Sequence, residues 1–250
     1  MIVALGSVRG APGVTSWTML LAAAWEQDSV ARRRIVLEAD PDGGVLAARY
    51  GVGADPGAIT FAASHRRGVG EWLEVAEHSR DLGSNVMLIP GTESADRAAS
   101  MWRDAAPTTA SALAAESRFD WFVDCGRFRP ESPSLAFADV SALTVLVVGP
   151  NIEDLLQLPA TLRLLQPRNG TVATLIVGKP AHGVQEIKDF LRSEHVFVAP
   201  SSRNLPAETA AIISTNRARR GWLWRSALTL VAELKATLPK GALLHEVGAP

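Results

Sequence analysis

The apolar positions of this chain fall into short runs separated by longer stretches with helical spacing. The runs lie at Ile2–Leu5, Ile35–Leu37, Val86–Ile89, Trp121–Val123, Leu143–Val148, Val172–Val177 and Val196–Val198. They are brief and mostly rich in valine and isoleucine, which predicts buried strands. The stretches between them predict helices over Thr15–Glu26, Gly44–Tyr50, Glu71–Ser79, Ala95–Glu116, Ile152–Leu165, Gln185–Ser193 and Ala207–Ser214. A last helix is expected from about Trp222 to Leu238, where Pro239 stops it. Strands alternating with helices imply right-handed crossovers and a doubly wound, mostly parallel sheet with helices on both faces. In such an α/β sheet ligands bind at the carboxyl ends of the strands, so the loops after each strand carry the functional information.

Composition narrows the class. The chain has 250 residues, 47% hydrophobic and 20% charged, enough to build a sizeable core and unlike a disordered chain. No repeat, linker or composition break interrupts it, so one domain over 1–250 is expected, with the C-terminal helix at about 222–238. A net charge of -1 excludes a protein-wide attraction to nucleic acid but leaves room for a local basic patch. Cys125 is the only cysteine, which excludes an intramolecular disulfide framework and a multi-cysteine zinc site. No apolar run approaches the ~20 residues that span a bilayer, and the N-terminus lacks the basic stretch of a signal peptide. The expected location is the cytoplasm, with a peripheral place at a membrane-associated assembly left open.

The first strand is followed by Gly6-Ser7-Val8-Arg9-Gly10-Ala11-Pro12-Gly13-Val14-Thr15-Ser16 and then a helix. Glycines in a strand-to-helix turn let backbone amides approach an anion closely, and the helix dipole favours the charge. Thr15 or Ser16 is placed to offer a hydroxyl to Mg²⁺. The plainer alternative is a tight turn with Thr15 as the helix cap. The second strand ends in Glu38-Ala39-Asp40-Pro41-Asp42-Gly43. Carboxylates two residues apart share one side of a strand end; the alternative is an acidic turn in which Asp42 caps the next helix. The strand Trp121–Val123 runs into Asp124-Cys125-Gly126, where an acid after an apolar strand suits a Mg²⁺-linked aspartate.

These three loops, in this order, resemble the ParA/MinD family of deviant Walker A P-loop ATPases. The resemblance covers roughly residues 1 to 215. The family loop K-G-G-V-G-K-T-T aligns with Arg9, Gly10, Ala11, Pro12, Gly13, Val14, Thr15 and Ser16. Its D-A-D-P-Q-G motif aligns with Glu38 to Gly43, and its D-x-P or D-x-G strand end with Asp124 to Gly126. Val86 to Gly91 looks like its L-P-A-G strand, and Ala138 to Pro150 like its A-D…V-V-V…P strand. The resemblance implies ATP and Mg²⁺ as cofactors, with Arg9 to Ser16 around the phosphates. It implies Thr15 and Asp124 at the metal and Asp40 as the catalytic residue that orients water. It also implies a nucleotide-dependent homodimer that positions or regulates a cellular assembly in partitioning, division or pilus and secretion systems.

The loop departs from the family pattern at both lysines. Arg9 stands at the signature lysine and Val14 at the ordinary P-loop lysine, and lysine occurs only at 179, 188, 235 and 240. Losing a cation beside a phosphate costs ~1.5–3 kcal/mol of binding, and catalysis suffers further because phosphoryl transfer needs that charge. Weak or absent hydrolysis is expected, and Arg9 is one replacement cation. A pseudo-ATPase scaffold that binds a protein partner without nucleotide is the alternative. Glu38 replaces the family's first aspartate, and Lys179 follows the strand Val172–Val177 without the family's base-contacting asparagine.

Three further features carry weaker signals. Arg32 to Arg34 reads as a solvated turn, and His65-Arg66-Arg67 as a loop. Arg217 to Arg225 places four arginines around Trp222 and Trp224, a pattern compatible with DNA or a membrane interface. The stripe Leu228, Leu230, Val231, Leu234 and Leu238 favours packing on the sheet instead. Trp102 is a candidate partner contact on the long helix, and Cys125 reads as a buried structural thiol.

Overall fold

The computed structural model describes residues 1–9, 13–25, 33–65, 72–166 and 170–239, without the side chains of 65 and 72–74. Gly10, Ala11 and Pro12 of the first loop, Arg32, Arg66, Arg67 and the segment after Pro239 therefore lie outside the described residues.

The chain runs β1 (Ile2–Ser7), α1 (Val14–Ala24), β2 (Arg33–Glu38), α2 (Leu46–Tyr50), α3 (Ala58–His65), α4 (Trp72–His78), β3 (Arg80–Asp81) and β4 (Val86–Ile89). It continues with α5 (Ala95–Ala115), β5 (Phe119–Arg127), α6 (Leu135–Val140), β6 (Leu143–Val148), α7 (Ile152–Leu155), α8 (Leu158–Leu165) and β7 (Thr171–Val177). It ends with α9 (Val184–Leu191), β8 (Val196–Ala199), α10 (Leu205–Ser214), a short 3₁₀ turn (Ala218–Arg220) and α11 (Trp222–Ala236). Among the described residues, eight strands form one sheet in the order β3-β4-β2-β5-β1-β6-β7-β8. Every pairing is parallel except β3 with β4.

Strand periodicity splits the core into two layers. Val3, Leu5, Val36, Phe122, Val145 and Leu175 face α1, α10 and α11. Ile2, Ala4, Ile35, Leu37, Trp121 and Leu146 face the opposite layer, which includes α3, α5, α6, α8 and α9. Helix α1 is buried along nearly its whole length, because it lies between the sheet and the pair α10 and α11. An all-round apolar helix such as Val14–Ala24 belongs in that position.

Several elements differ from the pattern read along the sequence. Helices α3 and α6 and the two-residue edge strand β3 are additional. The stretch Ile152–Leu165 divides into α7 and α8, with Pro159 in the first turn of α8 where its missing N–H costs nothing. Helix α5 runs through Pro107. Residues 138–140 close α6 rather than opening a strand. Arg34 is no solvated turn residue: it is buried in β2, and its guanidinium donates to Trp25 O at 3.3 Å and Ser84 O at 2.8 Å. Trp102 is 1% exposed and meets Phe137 edge to face at 5.3 Å, so it is core and not a partner surface. In α11, Leu230, Val231 and Leu234 are buried as the stripe requires, but Leu228 is 40% exposed.

Candidate functional site

The carboxyl ends of β1, β2 and β5 meet in the middle of the sheet. In register, Asp124 lies opposite Leu5 of β1 and Glu38 of β2. The Ala39 amide donates to Asp124 O at 2.8 Å, which fixes the exit of β2 against β5. The turn into α1 comes over this junction. Gly13 is the N-cap with φ of 85°, a left-handed conformation that suits glycine. A Cβ there would also lie 2.6 Å from Leu205 Cδ2, so the turn is closed from above by the start of α10. Thr15 is therefore not the helix cap; it sits in the first turn of α1.

A cleft of about 350 Å³ opens at this junction. It is lined by Ser7, Gly13, Val14, Thr15, Ser16, Asp40, Asp42, Arg49, Gly126, Arg127 and Pro206. The structure thus brings together Gly13, Val14, Thr15, Ser16 and Asp40 of the sequence-derived set. Asp124 lies buried beside Thr15, whose hydroxyl is close enough to act on it. Arg9 does not join them: it is half exposed, and its guanidinium lies 4.0 Å from Asp154 Oδ1 at the start of α7.

The three acids differ in environment. Asp124 is 1% exposed; Oδ1 accepts from the Gly126 amide at 3.1 Å, while Oδ2 has no hydrogen-bond partner. Burial pushes its pKa from 3.8 up to about 7, with Thr15 pulling back and the charges of Glu38 and Asp40 adding to the rise. Asp40 is partly buried, and burial raises it above the ordinary carboxylate range against the Asp42 amide. Its Oδ1 accepts from that amide at 2.8 Å. Asp42 is exposed and pairs with Arg129 at 2.8 Å; the N-cap of α2 is Val45, so Asp42 is not the cap of the next helix.

Glu38 holds the site together rather than facing it. Oε1 accepts from the Val45 and Leu46 amides at 2.7 and 3.0 Å, and Oε2 from the Gly91 amide at 2.8 Å. It thereby pins the start of α2 and the exit of β4 to the end of β2. Burial raises its pKa first, and those three amides oppose the rise. The neighbouring Cys125 thiol is fully buried and pushed well up by burial, as a structural thiol would be.

The chemistry of this donor set suits a cation carried in with phosphates. Asp124 Oδ2 is a buried carboxylate oxygen without a partner beside a threonine hydroxyl. Among the described residues no cluster of three or more histidine, cysteine or acidic side chains is arranged to hold a metal ion by itself. Mg²⁺ rarely uses such cages; it keeps waters and binds through one or two carboxylates plus substrate phosphates.

Two arginines of the cleft, Arg49 from α2 and Arg127 from the end of β5, were missed in the sequence. Nothing in local spacing connects residue 49 or 127 to residue 16. Arg217, Arg220, Arg225 and Trp222 are exposed, whereas Trp224 is buried. Arg219 stacks over Trp224 at 5.0 Å and donates to Ile212 O at 3.2 Å. Among the described residues no helix is long and apolar enough to cross a membrane.

No protein-family model matches this chain, and no curated protein matches it in sequence. Solved structures match it in fold. A ParA family ATPase from Chlorobium tepidum is 12% identical, covering 92% of this chain and 98% of that one, with a TM-score of 0.75. An ATP complex of a McdA variant from Cyanothece is 15% identical over 94% and 96%, with a TM-score of 0.72. The septum site-determining protein MinD of Pyrococcus horikoshii, complexed with Mg-ADP, is 15% identical over 98% and 100%, with a TM-score of 0.66. The fold is that of the ParA/MinD type of P-loop NTPase, and at these identities the likeness is one of fold.

Proposed function

We propose that this chain is a ParA/MinD-like protein that binds ATP with Mg²⁺ in the cleft, pairs with a second copy when loaded, and hydrolyses ATP weakly or not at all. The carrying observation is the buried Asp124, with an unpartnered oxygen, beside Thr15 and under the first turn of α1. In this reading Thr15 and Asp124 hold the metal, and the amides of 13–16 face the phosphates. Bound Mg²⁺ would neutralise and orient the phosphate oxygens. Asp40 orients water for whatever hydrolysis occurs. Val14 supplies no charge where phosphoryl transfer most needs it.

The ATP in the McdA variant and the Mg-ADP in the Pyrococcus MinD support this choice of ligand. A role in positioning an assembly, in partitioning, division, pilus or secretion systems, goes with this reading by analogy of fold, for which the cell-division and plasmid-partition proteins among the structural neighbours are the support. A protein partner follows from such a role; contact with DNA or a membrane through 217–225 is not favoured. A scaffold working without nucleotide is the second reading, favoured by Leu156 and Phe190, which are 62% and 54% exposed around an apolar hollow. Sedimentation with and without Mg-ATP tests the proposal. A shift toward dimer that Asp40→Ala retains and Thr15→Ala loses is expected; an unchanged profile at saturating nucleotide contradicts it.

A further inference from the structure

The cleft is lined by Asp40 and Asp42, the latter already paired with Arg129, above the buried Asp124, and such acids beside a polyphosphate call for further cations facing the cleft. Val14 is apolar and 5% exposed. Arg9 turns to Asp154, outside the cleft lining. Among the described residues the cations lining the cleft are Arg49 and Arg127. Arg49 Nη1 donates to Ser16 Oγ at 3.3 Å, which places its guanidinium at the first turn of α1. Arg127 pairs in register with Ser7, beyond an irregularity between Leu5 and Ser7, and its buried Nε has no hydrogen-bond partner.

We infer that Arg49 and Arg127 are the phosphate-binding cations of this site, taking over from outside the loop the charge that the loop's lysines would carry. The inference rests on the nucleotide reading above. Guanidinium suits this role because it stays charged when partly buried and offers paired N–H donors to phosphate oxygens. The fold also sets where Arg49 stands. Glu38 pins the amides of Val45 and Leu46 at the start of α2, and Arg49 is in the last turn of that short helix. Glu38 is thus a positioning residue for Arg49. Arg127 follows Gly126, which has φ of 62° and leaves no room for a side chain against Asp40, and it lines the cleft beside that carboxylate. The ligand class is a nucleoside triphosphate or diphosphate, and the contribution of the two arginines grows with the number of phosphates.

The test is equilibrium binding of Mg²⁺ complexes of ATP and ADP, and of AMP, to the whole chain. Wild type is compared with Arg49→Gln, Arg127→Gln and Arg49→Lys, with the exposed Arg103→Ala as a control outside the cleft. Thermal melts confirm that each variant is folded. The expected result is a loss of roughly ten- to hundredfold in ATP affinity for each glutamine variant. AMP should lose clearly less, Arg49→Lys should recover part of the loss, and Arg103→Ala should match wild type. Wild-type binding with both glutamine variants unaltered overturns the inference and leaves the nucleotide reading standing. An equal loss for AMP and ATP also overturns it, since that marks a structural effect. Should a glutamine variant fail to fold, displacement of ATP from wild type by inorganic triphosphate decides: no competition overturns the inference. Absence of nucleotide binding by wild type overturns both readings.

Discussion

The carboxylate of Asp40 lies directly against the backbone of Gly126: a Cβ at 126 would stand 2.1 Å from Asp40 Oδ1. Gly126 also has φ of 62°, which L side chains rarely adopt. The two strand ends that form the site are therefore closed to within less than one methyl group. Gly126→Ala should destabilise the fold by about 1–3 kcal/mol in urea denaturation, from the steric contact and the backbone strain together. Asp40→Ala in the same chain should recover part of that cost by removing the contact. A fully additive double variant would show that the two residues do not press on each other.

Glu38 serves three backbone amides at once, those of Leu46 and Gly91 buried and that of Val45 partly so, and its loss and its neutralisation should therefore differ. Glu38→Ala strands three donors and is expected to cost about 3 kcal/mol or more. Glu38→Gln keeps one acceptor oxygen and sets its NH₂ against one donor, for a smaller cost of about 1–2 kcal/mol. Denaturation midpoints rank the two directly, and equal midpoints would contradict the triple acceptance.

Asp124 makes stability depend on pH in an unusual direction for an aspartate. Its folded pKa, about 7, lies above its ordinary 3.8, so the native state holds a proton that the unfolded chain has already lost. Stability from this group is greatest at low pH and declines as pH rises from about 4 to about 7. Relative to Asp124→Asn, which cannot ionise, wild type should lose on the order of a few kcal/mol across that window. A constant difference between the two proteins from pH 4 to pH 7 would show that Asp124 ionises normally.

The tryptophans separate by burial. Trp102, 1% exposed against Phe137, should cost about 3–5 kcal/mol as Trp102→Ala. Trp222, 45% exposed, should change stability by less than about 0.5 kcal/mol as Trp222→Ala. A large loss at Trp222 in the isolated chain would mean that it packs internally.

The sheet was legible because β-branched runs such as Leu143–Val148 and Thr171–Val177 are buried on both faces, which leaves little room for another assignment. Edge strand β3 was not legible, since Arg80-Asp81 carries no apolar signal and forms only through its pairing with β4. Helix α6 hid within a stretch rich in serine and alanine, where burial of Phe137 against Trp102 decides the conformation. The juxtaposition of Gly13, Thr15, Asp40 and Asp124 was legible because the first three follow strands in order and Asp124 comes just after the apolar run of β5, although β5 itself continues through it to Arg127. Arg34, Arg49 and Arg127 could not. Arg49 enters the cleft only because the fold brings Ser16 Oγ within its reach, and Arg127 only because β5 continues past the apolar run, while the burial of Arg34 at the far end of β2 depends on the distant carbonyl of Ser84. Trp102 misled for the complementary reason: an aromatic residue beside a charged one on a helix reads the same whether it faces a partner or the core.

Every functional role proposed for the cleft depends on its binding Mg-ATP despite Val14 in place of a lysine. Calorimetric titration of Mg-ATP into wild type and Thr15→Ala decides whether it does. Saturable binding by wild type that Thr15→Ala loses, with a matching rise in wild-type melting temperature, is the predicted result. No heat of binding and no rise in melting temperature at millimolar Mg-ATP would contradict it.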